Sequence, residues 1–161
     1  MYFWGVQNYK QYNVREVTER IKSFCAIQDR SQFEVKNKMR DWGVEEYIID
    51  NILADLIIEK FIDERRFAES FCRGKFRIKK WGKIKIKNEL KKRRISNSWI
   101  NIGLEQIDEK EYNLLLSELF KKKKNSIKEK NKFIRNGKIA RYLQQKGFEN
   151  NLIWELINND K

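Results

Sequence analysis

The residues whose types and spacing point to chemistry are cations. Arg73, Arg77 and Lys80 stand at steps of 4 and 3, and Lys83, Lys87, Lys91 and Arg94 at steps of 4, 4 and 3. On helices each series lies along one face. From Arg73 to Arg94 there are 12 basic residues and one acid, Glu89. Such a row repels itself and stabilises nothing until a polyanion neutralises it, so the chemistry is contact with phosphates or carboxylates. The alternative is a solvated face in a chain whose Ile, Asn and Lys content reflects an A/T-rich genome. Phe76 and Trp81 lie inside the stretch, where aromatic rings can stack on bases. Phe76 has the spacing of a core residue, whereas Trp81, beside Gly82 at a helix junction, suits either use. A second run, Lys121 to Lys124 followed by Lys128, Lys130 and Lys132, is offset by Glu129 alone. It reads as a solvated helix end, where cations suit the C-terminal dipole.

Catalytic groupings are missing. The 161 residues include no His, which removes histidine bases, histidine metal ligands and histidine pH switches. Cys25 and Cys72, 47 residues apart and outside any CxxC pair, read as buried thiols rather than metal ligands. The sequence holds no P-loop, no G-x-G-x-x-G and no clustered carboxylates; Glu45 and Glu46 point to different helix faces. No enzyme activity, cofactor or metal is expected. Apolar runs stop at about three residues, far below the ~18–20 that cross a bilayer, and the N-terminus has no signal peptide pattern. A cytoplasmic monomer without a membrane partner is expected.

The elements that must position these cations are helices. Apolar residues recur at helical spacing in Ile48–Ile52–Leu56, in Phe67–Phe71 with Cys72 and Phe76, and in Tyr112–Leu115–Leu116–Leu119. Capping boxes are predicted at Ser31-x-x-Glu34, Asp108-x-x-Glu111 and Ser126-x-x-Glu129. Three segments then align. Val35, Met39, Gly43, Val44, Ile49 and Leu53 match Ile86, Leu90, Arg94, Ile95, Ile100 and Leu104 at an offset of 51. A further 53 residues on stand Ile139, Leu143, Gly147, Phe148, Ile153 and Ile157. Each set is a helix, a left-handed stop suited to Gly, an apolar corner and a second helix. Arg94 at the Gly position predicts a mildly strained or differently capped corner. A further helix precedes each pair, near Val14–Ala26, Glu64–Ile78 and Glu109–Lys123.

The fold class expected is therefore all-α: three tandem three-helix repeats forming an elongated, curved array. The boundaries are 13–60, 61–108 and 109–161, after an unassigned segment 1–12 containing Tyr2, Phe3, Trp4 and Tyr9. Charge is uneven across them. Residues 1–60 carry 9 basic and 10 acidic residues, 61–95 carry 14 and 4, and 96–161 carry 13 and 9, so +10 of the net +13 falls in the middle.

Asp63-Glu64-Arg65-Arg66-Phe67-Ala68-Glu69-Ser70-Phe71, followed by Gly82-Lys83-x-x-Ile86-x-x-Glu89-Leu90-Lys91-x-x-x-Ile95, resembles the central signature of the RecX family of regulatory proteins. Arg30-Ser31 with Glu34 and Trp42-Gly43 is similar to that family's first repeat. Lys138, Leu143 and Lys146-Gly147-Phe148 are similar to its third. Arg94 departs from the Gly common in the family. The resemblance spans roughly residues 15–158. It implies three tandem three-helix repeats, no catalytic residue, and binding to the RecA recombinase filament on DNA with inhibition of strand exchange and ATP hydrolysis. The candidate RecA- or DNA-binding residues are then Arg66, Arg73, Arg77, Lys80, Lys83, Lys87, Lys91 and Arg94. Contact with single-stranded or double-stranded DNA is expected to be weaker and salt-dependent. Two other readings stay open: a stand-alone helix-turn-helix-like nucleic-acid binder, and a helical-repeat scaffold for a protein partner.

Overall fold

A computed structural model describes residues 13–160; the aromatic-rich segment 1–12 lies outside the described residues. Among those described, the chain is all-helical, with nine helices and no strand. It divides into two compact units, one ending at Asp63 and the other running from Glu64.

The first unit holds α1 (Val14–Ile27), α2 (Gln32–Asp41) and α3 (Glu46–Ile58). Each starts where a polar residue or an extended backbone frees it to. Asn13 caps α1 by accepting from the Arg15 N–H at 3.0 Å. Ser31 and Glu34 close the predicted capping box: the Glu34 N–H reaches Ser31 Oγ at 3.1 Å, and the Ser31 N–H reaches Glu34 Oε2 at 3.0 Å. Ser31 is fully buried, so these bonds also satisfy polar atoms that water cannot reach. Gly43, at φ 78°, makes the left-handed corner, and Val44 follows it into a core of Val17, Ile21, Val35, Met39, Ile49 and Leu56.

The second unit holds α4 (Glu64–Arg77), α5 (Lys83–Lys92), α6 (Asn97–Leu104), α7 (Glu109–Ser126), α8 (Lys132–Lys146) and α9 (Asn150–Asn159). The positions aligned at offsets of 51 and 53 do the same work in both of its halves. Ile86, Leu90, Ile95 and Ile100 are buried, as are Ile139, Leu143, Phe148, Ile153 and Ile157, and all belong to one continuous core. The α4–α6 packing is tight because the facing residues are small. A Cβ at Gly103 would stand 2.8 Å from the Ala68 carbonyl oxygen and 2.9 Å from Cys72 Sγ.

Among the described residues, three corners carry non-glycine residues in the left-handed region: Lys60 at φ 60°, Lys80 at φ 58° and Arg94 at φ 57°. The expected strain at Arg94 is thus present, on the order of 1 kcal/mol per residue. One local expectation differs from the structure. Ser126 does not open a helix: it is the last residue of α7 and its hydroxyl donates back to the Lys123 carbonyl at 2.7 Å. The lysine run extends α7, and the following helix is instead capped by Asn131, which accepts from the Ile134 N–H at 3.2 Å. On α5, Ile86 is buried and Ile84 is 45% exposed.

The two halves of the second unit join end to end. The Gly82 and Ile84 N–H groups, in the opening turn of α5, donate to the Lys146 and Gly147 carbonyls at the close of α8, at 2.8 and 3.0 Å. Unpaired donors of one helix thereby meet unpaired acceptors of another. Glycine is required on both sides. A Cβ at Gly82 would fall 2.2 Å from the Gly147 oxygen, and one at Gly147, itself at φ 95°, would fall 2.3 Å from Lys85 Cβ. Gly82→Ala is expected to lower stability by about 2–3 kcal/mol through this overpacking. Gly74→Ala, where nothing lies within 4 Å, is expected to be neutral or slightly stabilising. Paired denaturant titrations followed by circular dichroism check the contrast.

Candidate functional site

The basic stretch occupies α4, α5 and the turn between them. Arg66 lies exposed in the first turn of α4 and Arg77 exposed at its last residue, with Lys80 exposed in the left-handed corner beyond. On α5, Lys87 and Lys91 are exposed, and Arg94 follows at the corner after the helix, also exposed. Ile86 and Leu90, on the opposite side, are buried and fix this orientation. Lys87, Lys91 and Arg94 are therefore held as one outward row.

Two predicted members are diverted. Arg73 is half-buried and donates from Nη1 to Gln106 Oε1 at 3.1 Å. The Lys83 side chain is only 21% exposed and forms an ion pair with Glu109. Its ammonium also stands 4.7 Å from the Tyr112 ring centroid. The Lys83 N–H donates to Tyr112 Oη at 3.0 Å, and that hydroxyl donates in turn to Glu149 Oε2 at 2.5 Å. Lys83 thus anchors α5 to α7. These partners lie 26 and 29 residues away in the chain, beyond what helical spacing can indicate.

Other cations of the stretch are absorbed locally. Glu89, its single acid, takes Lys92 at 2.8 Å and Arg93 at 3.0 Å, and these two cations hold its carboxyl below the usual range. Trp81 is half-buried against the core, with the Lys75 and Lys85 ammonium groups 5.0 and 4.5 Å from its ring centroid. Neither lysine stands in the two aligned rows of cations. Lys85, one helical turn after Trp81, carried the available signal. Phe76 is buried in the core and presents no stacking face to solvent. Lys87 and Lys91, by contrast, meet no carboxylate among the described residues.

The remaining reactive groups are secluded. Burial pushes the Cys72 thiol up to about 12, against a smaller opposing pull from Arg73, and Cys25 is also raised by burial. Both are free thiols. Among the described residues no cluster of acidic or cysteine side chains could hold a metal ion, and no helix is long and apolar enough to cross a membrane.

Three-helix modules bearing an outward cation row define a class of fold, the helical-repeat proteins. Residues 63–104 match the family model for the second three-helix domain of RecX, and residues 111–157 that for the third. Together these cover more than half of the chain, which belongs to the RecX family. The regulatory protein RecX of Oceanobacillus iheyensis is 31% identical over 134 residues, covering 83% of this chain and 49% of its own length. That of Clostridium acetobutylicum is 31% identical over 142 residues, covering 86% and 65%. The chain thus spans about half to two thirds of these relatives. Two crystal structures share the fold: a regulatory protein RecX with TM-score 0.81 and 22% identity over 91% of this chain and 72% of that one, and RecX from Lactobacillus salivarius with TM-score 0.77 and 24% identity over 90% and 94%.

Tyr112 adds a pH dependence to this scaffold. Burial, then the bond to Glu149, raise its hydroxyl above the ordinary phenol range, and the Lys83 N–H opposes them. For Tyr112 and Cys72 the folded-state pKa exceeds the unfolded one, so the unfolded chain loses its protons first. Stability is whole below about pH 8.5, the unfolded thiol value, and falls as the pH rises towards 12. Urea midpoints measured from pH 8 to 11 are expected to drop, and Tyr112→Phe to make the drop between pH 10 and 11 shallower.

Proposed function

We propose that this chain is a non-enzymatic cytoplasmic regulator that binds the RecA recombinase filament on DNA and inhibits its ATPase and strand-exchange activity. The observation that carries the reading is the match of residues 63–104 to the second RecX domain, coinciding with the segment in which Lys87 and Lys91 stand exposed and meet no carboxylate among the described residues. Arg77, Lys80, Lys87, Lys91 and Arg94 supply positive charge for acidic filament surface or DNA phosphates, with Arg66 on the preceding turn. Lys83 and Arg73 act at one remove, by fixing α5 and α4. The first unit differs in chemistry: residues 1–60 are nearly neutral, and Ile27, Tyr47 and Ile58 are exposed on it, which suits protein contact. A helical protein seated on neighbouring protomers hinders the movements that accompany ATP turnover and blocks access of a second duplex. The outward face of α5 is nearly all lysine, which positions on phosphate and reads few bases, so sequence-selective DNA binding is not expected.

DNA-dependent ATP hydrolysis by RecA, titrated with substoichiometric amounts of this protein, tests the reading. Inhibition is expected, and Lys87→Glu with Lys91→Glu is expected to weaken it at least tenfold in the protein concentration required. If five cations reach duplex phosphates, the log–log dependence of binding on salt has a slope near −4.5. An unchanged ATPase, or tight sequence-selective DNA binding without RecA, overturns it.

A further inference from the structure

The third repeat carries a second basic segment of nearly the same density. From Lys121 to Arg141 there are ten basic residues and one acid, Glu129. Glu129 is occupied in accepting from the Asn131 N–H at 3.0 Å, and among the lysines Lys124 is paired with Asp160. The rest of the charge surrounds two features that packing does not explain. Phe133 is 88% exposed, more than any other large apolar side chain described. One turn further along α8, Gly137 occupies an exposed helix interior with nothing within 4 Å of where its Cβ would be. Glycine disfavours helix at such a position, and no neighbour in the fold requires it; its absent side chain leaves α8 open to close approach from outside. Ile134, Lys138, Arg141 and Gln145 recur at helical spacing next to these two. Lys138 and Arg141 also line an open hollow with Lys123, Ile127, Tyr142 and Gln145, a lining without any carboxylate. The Lys123 ammonium lies 4.9 Å from the Tyr142 ring centroid there.

We propose that this surface of α8 and the end of α7 binds single-stranded nucleic acid, with Phe133 stacking on an unpaired base and Lys138 and Arg141 neutralising adjacent phosphates. An exposed aromatic within a cation field fits an unpaired base on a phosphate chain. A duplex hides its base faces and offers Phe133 nothing. An anionic bilayer is the other polyanion with an apolar phase, but it calls for an apolar stripe, and here Gly137, Lys138 and Arg141 follow where further apolar residues would have to stand. The surface is separate from the α4–α5 cations, so it deepens the proposed DNA contact without depending on them.

The test uses the full chain without RecA, measuring fluorescence anisotropy with a labelled 20-residue oligothymidylate, the oligouridylate of equal length, a duplex, and phosphatidylglycerol vesicles. Phe133→Ala, at a side chain that is 88% exposed, is expected to weaken oligothymidylate binding about tenfold and duplex binding less than twofold, with Phe133→Trp restoring it. Lys138→Glu with Arg141→Glu is expected to reduce the single-strand salt slope by about 1.4, two phosphates' worth. Oligouridylate, which differs in sugar and lacks the thymine methyl but keeps an unpaired base on a phosphate chain, is expected to lose binding on Phe133→Ala to a similar degree, and an undiminished oligouridylate affinity counts against stacking. Equal losses on single strand and duplex, unchanged binding by Phe133→Ala, or binding to vesicles alone would overturn the proposal. Lys87→Glu with Lys91→Glu, run beside these, reports on the α4–α5 surface; loss there with Phe133 silent sinks this inference and spares the proposed function.

Discussion

The second unit depends on the contact in which the opening of α5 meets the close of α8. Helix ends leave donors and acceptors unpaired, and burying them unpaired costs ~1–3 kcal/mol apiece. Here the Gly82 and Ile84 N–H groups meet the Lys146 and Gly147 carbonyls, and the opposed ends of two helix dipoles adjoin favourably. The approach is possible only because neither glycine has a Cβ. Once α5 is seated there, its rotation is set. Lys83 falls beside Glu109 and Tyr112, Ile86 and Leu90 enter the core, and Lys87 and Lys91 can only face water.

Much of the fold was legible because it is local. Apolar spacing placed the helices, and the repeated offset placed the corners: Gly43 and Gly147 are left-handed as a helix stop demands, and Arg94 takes the same conformation with a side chain. What escaped depends on chain-distant partners or on competing local bonds. Ser126 and Glu129 had the letters of a capping box, yet the lysine-rich α7 continued through Ser126 and Asn131 opened the next helix. Of the candidate site, Lys87, Lys91 and Arg94 keep the predicted outward alignment, while Lys83 and Arg73 are drawn to Glu109 and Gln106 from other helices. Trp81, which suited core or stacking on sequence alone, is half-buried beneath two lysines. Units of about 50 residues are too small for a good core alone, so packing between neighbours is expected from the sequence, and the second and third repeats do share one core.

The chain manages its charge by sorting it. Within the middle repeat one acid disposes of two cations, an indole takes two more, and a cross-repeat pair takes Lys83. What remains outside is a short row in which Lys87 and Lys91 meet no carboxylate among the described residues. Surface ion pairs contribute little to stability, typically about 0–1 kcal/mol, so their main effect here is to decide which cations stay available.

Lys80 and Arg94 occupy left-handed corners where glycine or asparagine would sit without strain. Relaxing these turns and keeping their charges are therefore opposed aims. Variants selected for heat resistance alone would be drawn towards uncharged residues at both corners and would erode the cation row as they improved. A chain that retains Lys and Arg there records which of the two demands has prevailed.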